Sequence, residues 1–260
     1  MSLLRRRMSG QGGYNYIQKN YLTIEALESG LQAKVSKIAT EYCINGSGNW
    51  TKLAANTYTP AINQGETISF RANDTTTIQG IGIIGITKRC NLLGNIMSIR
   101  YGDDARTTSN ITKSYAFYEA FRGQPIVSVS KDFLPATGLA SDCYSDMFFN
   151  CTQLISAPDL PAASLYSYCY SNMFYGCSSL TTAPYLPAKS LTNRCYNYMF
   201  YGCSKLSYIK AMFTTQPTTS YTNSWVSRVA SSGTFVKSAS ASWNVMGDSG
   251  VPRGWTIVKE

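Results

Sequence analysis

At 260 residues the chain is long enough for two domains, or for one domain carrying a repeat array. It is 44% hydrophobic and only 14% charged, with 19 tyrosines, which excludes wide disorder and leaves Ser, Thr, Asn and Tyr to cover much of the surface. A formal charge of +9 raises an anionic partner, while the complete lack of histidine excludes every Ser-His and Cys-His nucleophile and removes the commonest general base and metal ligand.

In chain order, residues 1–19 carry Arg5, Arg6, Arg7 and Lys19 with no acid and read as a Gly-rich, basic, extended arm. Its candidate docking residues are Arg5, Arg6, Arg7, Tyr14 and Tyr16. The stretch after the arginines, "MSGQGGYNYIQKN", has no apolar signal-peptide core, and no window approaches the roughly 18 apolar residues of a membrane span. No clustered Lys/Arg helix, zinc finger or RNP-type run accompanies the charge, so specific nucleic-acid reading is not expected.

From Tyr21 to about Arg100 the pattern is that of short strands. "YLTIEA" and "LQAKVSK" alternate across a turn at Ser29-Gly30, and "TEYCINGSGNWTKL" reads as a hairpin with Asn45–Asn49 at its tip. "ETISFRA" alternates again, and "IGIIGITKRCNLLGNIMSIRYG" is a longer apolar run broken by glycines. This spacing predicts an antiparallel β-sandwich over residues 20–113.

Residues 114–214 form a repeat array. Leu134-Pro135, Leu160-Pro161 and Leu186-Pro187 recur at 26 residues, as do Cys143/Cys169/Cys195, Met147/Met173/Met199 and Cys151/Cys177/Cys203. A fixed period of this length is the mark of a solenoid. A degenerate unit (Tyr115–Val129) precedes the three and a decayed one (Lys205–Phe213) comes after them. In each coil "CYxxMFxxC" places Cys, Met and Cys at i, i+4 and i+8, which predicts two helical turns with one inward stripe. "LxxAPxLPA" is extended, its prolines barring it from the middle of a regular sheet. Helix plus short extended segment is the leucine-rich-repeat plan. The tail, residues 215–260, reads as a small β cap built on Phe235, Val236, Trp243, Val245, Trp255 and Val258. The expected class is therefore mixed α/β: an antiparallel β-sandwich, a short leucine-rich-repeat solenoid and a β cap.

The six repeat cysteines are not expected to do chemistry. Eight helical residues span about 12 Å, beyond the roughly 7 Å that a disulfide allows between Cα atoms, and zinc prefers CxxC pairs or histidine. They read as reduced core residues, a structural ladder with Met147, Met173 and Met199. Cys43 and Cys90 are the other two thiols, and a bridge between them stays open. "GDSG" at 247–250 has no histidine to serve it and reads as a turn; Asp103-Asp104 reads as a solvated turn before it reads as a cation site. No catalytic residue, cofactor or metal is assigned. Tyr144, Tyr170 and Tyr196 occupy one repeat position and are expected to pack between coils. Tyr166, Tyr168, Tyr185 and Tyr198 vary from coil to coil and form the candidate ligand face, suited to a sugar or protein partner.

The units "MFYGCSSLTTAPYLPAKSL" and "MFYGCSKLSYIKAMF" resemble the BspA-type leucine-rich repeats, with the Phe-x-Gly-Cys-x-x-Leu core recurring in register over Tyr115–Phe213. That class is abundant in surface proteins of gut Bacteroides-type bacteria and in their phages, where the repeats serve adhesion and recognition. The segments "MSLLRRRM", "YLTIEALESG", "WTKLAANTYTP" and "GTFVKSASASWNVMGDSGVPRGWTIV" are similar to short proteins of crAss-like phages and related prophages. The resemblance implies a non-enzymatic virion protein, assembled in the host cytoplasm and partnered by other virion proteins and by a host glycan or surface protein. The β region would then be a spacer or a homo-oligomerisation module. The alternative is a bacterial cell-surface adhesin of the same repeat class, and a less favoured one is a glycan-active enzyme using paired carboxylates.

Overall fold

The structure, a computed structural model, describes residues 11–72 and 80–260, with side chains from Tyr16 onward. Its first element corrects the expectation of an extended arm: Gln11–Asn20 is a helix, α1. Gly12 and Gly13 make this segment a poor helix by propensity, and what holds it is tertiary packing of its last turn. Ile17 and Tyr21 are buried with Cys43 and pack against Trp50, the Tyr21 and Trp50 rings meeting edge to face at 5.0 Å.

The strands after α1 are β1 (Leu22–Ala26), β2 (Ala33–Val35), β3 (Thr40–Ile44), β4 (Thr51–Leu53), β5 (Thr67–Arg71), β6 (Ile84–Ile86), β7 (Cys90–Leu93) and β8 (Ile126–Val129). Six of them form one sheet in the order β4-β3-β5-β1-β7-β8, while β2 and β6 pair separately. All neighbours in the large sheet are antiparallel except β7 and β8. The alternation legible in "YLTIEA" fixes the register, with Ile24 opposite Ile68 on one side and Leu92 on the other. The alternate face is also buried, and there Thr23 and Ser69 satisfy each other at 2.7 Å. The apolar run at 81–102 divides into β6, β7 and a short helix, α2 (Ser98–Tyr101), with a 3-10 turn at Gly102–Arg106 beyond it. Gly94, at φ +78, admits no side chain: a Cβ would sit 2.0 Å from the Tyr21 carbonyl oxygen.

Strand β8 joins this sheet to the repeats. On one side it pairs with β7; on the other, Ile155 N donates to Val127 O at 2.9 Å and Val129 N to Ser156 O at 3.1 Å. One hydrophobic cluster accordingly runs from Leu22 to Trp255.

The repeats stack in register, but their "CYxxMFxxC" segments are not helices. They are ribbons of consecutive turns in which every second amide leaves the coil. Tyr144 N, Asp146 N, Phe148 N and Asn150 N donate to Cys169 O, Ser171 O, Met173 O and Tyr175 O of the next coil, at 2.7–3.1 Å. The amides between them close i→i−3 turns: Ser145 to Asp142, Met147 to Tyr144, Phe149 to Asp146 and Cys151 to Phe148. Every fourth residue is left-handed, at Asp142, Asp146 and Asn150, then Tyr168, Asn172 and Gly176, then Arg194, Tyr198 and Gly202. A left-handed residue resets the chain direction after each turn, so the repeat within the ribbon is four residues and not 3.6. The stripe at i, i+4 and i+8 is therefore buried as expected, for a different geometric reason.

The stacking also continues past Phe213, where a β cap was expected to begin. Residues 218–228, which include the short helix α3 (Thr219–Thr222), make a further ribbon that accepts from Arg194 N, Tyr196 N, Tyr198 N, Phe200 N and Gly202 N. Strands β9 (Tyr208–Ala211), β10 (Thr234–Lys237) and β11 (Thr256–Lys259) form a parallel sheet in register, Ile209 beside Phe235 beside Ile257. The "GDSG" segment is the expected turn, and it closes the end of the stack: Trp225 Nε1 donates to Gly250 O at 2.9 Å. The molecule is thus mostly β, with several sheets and few helices, where a mixed α/β class was expected.

The ribbon geometry makes an unusual order of substitutions. Asn150 is exposed at φ 56. Asn150→Val is expected to lower the unfolding free energy by about 1–2 kcal/mol, since a β-branched residue opposes a left-handed backbone, while Asn150→Gly stays within about 0.5 kcal/mol of the parent. An α-helix would reverse this order. Urea midpoints of the two variants decide it.

Candidate functional site

The cysteine ladder is core. All eight cysteines are free and buried, Cys43 and Cys90 included. Cys151 Sγ donates to Phe121 O at 3.0 Å, Cys177 Sγ to Phe148 O at 3.1 Å and Cys203 Sγ to Phe174 O at 3.0 Å. Each of these carbonyls already accepts one amide, from Gln124, Cys151 and Cys177 respectively, so the thiol fills the second lone pair. Burial pushes the Cys143 and Cys151 thiols up to about 12 and Cys195 up to about 11. A thiol that is both protonated and enclosed is no nucleophile. Met147, Met173 and Met199 are equally buried. Tyr144, Tyr170 and Tyr196 pack between coils as expected, their rings stacked at 5.9 and 6.1 Å.

The docking residues fall in three places. Arg5, Arg6 and Arg7 lie outside the described residues, and so does the side chain of Tyr14. Tyr16 is exposed on α1 and is held to the 3-10 turn: Arg106 Nη1 donates to its hydroxyl, and the guanidinium carbon lies 5.3 Å from its ring centre. Just past the end of α1, Tyr21 donates to Asp103 Oδ1. Arg71 bridges Asp103 at 3.2 Å and Glu41 at 2.8 Å, with its guanidinium 4.3 Å over the Trp50 ring. Asp103 is therefore a latch for α1 and not half of a free carboxylate pair. Burial and the bond to Asp103 push the Tyr21 hydroxyl up to about 12, while that bond and Arg71 hold the Asp103 carboxyl below its usual value. Among the described residues no group of His, Cys, Asp and Glu side chains is placed to hold a metal ion.

The four variable tyrosines do not share one surface. Tyr185, 46% exposed, borders a groove of about 350 Å³ beside Lys131, Ile155 and Asp159, on the side of the extended segments. Tyr166 is 52% exposed at the start of a ribbon. Tyr168 and Tyr198 both take left-handed positions on the ribbon side and are brought together through Arg194, which stacks 5.5 Å from the Tyr168 ring. Arg194 and Tyr198, with Asn193, Asn197, Ser220 and Asn223, line a cavity of about 520 Å³ between the third repeat ribbon and the next. Asn223 Nδ2 donates to the Tyr198 hydroxyl at 3.1 Å. Asn197 is only 9% exposed, and its Oδ1 has no partner.

The asparagines, Arg194 and Ser220 escaped the sequence reading because residues 218–228 were not recognised as a coil. A second feature is a surface ladder in which Phe149, Tyr175 and Tyr201 stack at 4.5 and 4.7 Å, flanked by Arg122 at 4.0 Å and Arg228 at 5.2 Å. Its 26-residue spacing was the available signal. No family model matches the chain, and no curated protein or solved structure shows a significant match to it.

Iodoacetamide should label none of the eight cysteines in the native protein and all eight after unfolding, by intact mass. Because the six repeat thiols are raised in the folded chain, the stability they contribute is full below the ordinary value of 9.0 and falls as pH rises toward about 11; a urea midpoint that climbs across that window would contradict the burial. Asp103 has the opposite sign: its contribution is present above the ordinary carboxyl range and is lost as pH falls through its lowered value. Asp103→Asn should raise hydrogen exchange of residues 11–20 at neutral pH while β1 and β5 stay protected.

Proposed function

We propose that the chain is a non-enzymatic structural and recognition protein of a phage particle. In this reading the basic residues Arg5, Arg6 and Arg7 dock it to other virion proteins, and the β-sheet region serves as spacer or oligomerisation module. The repeats are a leucine-rich-repeat solenoid of the BspA type and display a tyrosine-bearing surface to a host glycan or surface protein. The observation that carries the proposal is the division of labour within each coil. The repeating rings Tyr144/Tyr170/Tyr196 and Phe148/Phe174/Phe200 are consumed by the core, while the varying Tyr166 and Tyr168 reach the surface.

The repeat class is supported by the Phe-x-Gly-Cys core, whose glycines 176 and 202 both take the left-handed position that the ribbon requires. Carriage of a rigid face is supported by the cross-coil amide bonds, which leave little freedom between neighbouring coils. A recognition role is supported by the Tyr, Asn and Ser content of that face, which gives contact area at low entropic loss together with adaptable hydrogen bonding.

Mass spectrometry of purified particles should find the protein as a stoichiometric virion component. Recovery in the cell envelope instead would replace this reading with that of a surface adhesin. Deleting residues 1–10, which leaves α1 intact, should abolish incorporation at an unchanged unfolding midpoint, and normal incorporation would refute the docking role of the arginines.

A further inference from the structure

The extended side of the stack fails to bond at the junction between the first and second repeats. Before it, Ile155 N donates to Val127 O at 2.9 Å and Val129 N to Ser156 O at 3.1 Å. After it, the equivalent rungs run from Ser207 N to Thr181 O and from Ala183 N to Tyr208 O, both at 2.9 Å. At the junction itself the same two rungs would join Thr181 N to Ile155 O and Ala157 N to Thr182 O. Neither forms, no main-chain bond links 155–161 to 181–187, and the four groups have no other hydrogen-bond partner among the described residues. The ribbon side keeps its bonds across this junction, from Tyr144 N to Cys169 O through Asn150 N to Tyr175 O, so the coils stay in register. Both facing segments carry proline here, at 158 and 184, where the flanking units have Ser130 and Lys210. Proline fixes its own φ and holds the residue before it extended, so neither segment can bend to meet the other.

We propose that the groove over this junction binds a neutral carbohydrate residue, whose hydroxyls enter the two open rungs and whose apolar face lies on Tyr185. The proposal rests on the recognition reading above and gives it a place and a ligand class. Ile155, Ala157, Thr181 and Thr182 all line the groove of about 350 Å³, and all but the half-buried Ala157 are exposed. Each open rung is an amide donor facing a carbonyl acceptor. A hydroxyl oxygen accepts from the first and donates to the second, which reproduces both bonds of a bridging water. The rungs are two residues apart, roughly 6–7 Å at strand rise, the scale of one sugar ring. A peptide carries its donor and acceptor on different atoms, so no single peptide group closes a rung. An anion would leave both carbonyls unpaired, and a divalent cation would find Asp159 as the only carboxylate in the lining.

The walls supply the rest. Tyr185 is 46% exposed and borders both this groove and a second of about 310 Å³ beside Pro161 and Pro187. Lys210, from the unit on the far side, lies 5.4 Å from its ring centre and steadies one face. The other face is turned toward the first repeat and so toward the open junction, where it offers a stacking wall to the C–H face of a pyranose. Asp159 borders both grooves, and its carboxylate makes no hydrogen bond or ion pair among the described residues, which leaves it to accept from a further hydroxyl. Lys131 is the one cation in the lining of the larger groove, so it and Asp159 balance and a neutral ligand meets no net charge.

The test uses the full ¹⁵N-labelled chain titrated with the methyl glycosides of glucose, galactose, mannose, N-acetylglucosamine and rhamnose, to about 50 mM so that millimolar affinity is read. Sodium phosphate and acetyl-trialanine amide are the anionic and peptide comparators. At least one glycoside should shift the backbone amide signals of Ala157 and Thr181, the donors of the two open rungs. Tyr185→Ala, at an exposed position, should weaken that binding about fivefold or more by removing the stacking wall. Ser156→Trp should block it at an unchanged unfolding midpoint, since Ser156 is exposed in the groove and Tyr208 stands at the equivalent position two units on. No shift by any glycoside, equal or larger shifts of the same signals by phosphate or the peptide, or affinity unchanged by both substitutions would each overturn the proposal. A glycan array separates this from the broader reading. Array binding insensitive to Ser156→Trp would overturn this site on a protein that still recognises glycans. Absence from purified particles would remove the virion role and leave groove binding measurable.

Discussion

The interaction on which the repeats depend is the amide that leaves its own coil. In an α-helix every amide in the interior bonds within the helix, and neighbouring coils would be held by side chains alone. In the ribbon only alternate amides close local turns, and the others reach the carbonyls of the next coil. This has two consequences. Each coil is fixed in register with its neighbour by main-chain atoms, and the chain must turn back every four residues, which calls for a left-handed residue at each return. Asp, Asn, Gly, Tyr, Arg, Glu and Ser occupy these positions in the ribbons, and Val, Ile and Thr occupy none.

Register explains the columns of like residues. A side chain on one coil has its counterpart on the next directly beside it, so a ring is best met by a ring. Phe117, Tyr144, Tyr170, Tyr196 and Trp225 form one interior column at 5.7–6.1 Å, and Phe121, Phe148, Phe174 and Phe200 form another at 5.6–5.7 Å. The cysteines fit the same logic. The position after the second ring has room for a small side chain and faces a carbonyl with one free lone pair. Cysteine packs as a small hydrophobe and still offers a weak donor. Leaving that lone pair unfilled three times over would repeat the same loss in every coil.

The 26-residue period and the identity of the buried residues were legible in the sequence, because register forces exact repetition of Cys, Met and the aromatic pair. The ribbon was not, since residues at i, i+4 and i+8 satisfy a short helix and a train of four-residue turns equally. The discriminating signal was the pairing of neighbours, Cys143-Tyr144 and Met147-Phe148, with Asp142, Asp146, Asn150, Asn172, Gly176 and Gly202 between them. Tyr168, Arg194 and Tyr198 at the same positions obscured it. The last ribbon was hidden for a related reason. Main-chain bonds define it, so Trp225 can stand where Met199 stood and the sequence repeat fades while the stack continues. The helix α1 was illegible because Ile17 and Tyr21 hold it from outside against Trp50, in spite of two glycines.

A stack defined by its main chain separates stability from surface chemistry. Side chains at left-handed positions and along the ribbon edge can change between coils as long as the backbone angle is tolerated, and the cross-coil bonds are unaffected. The column Ser145, Ser171, Asn197, Asn223 shows the result. Two serines serve the stack, and then an asparagine takes their place and its buried acceptor has no partner. The loss at Asn197 is local, because Tyr196 and Tyr198 on either side keep their amide bonds to the next ribbon at 3.1 and 2.9 Å. A column can therefore change residue type while the ladder beneath it does not. At Asn197 the column changes and the ladder does not, while the cysteine columns stay uniform through all three repeats.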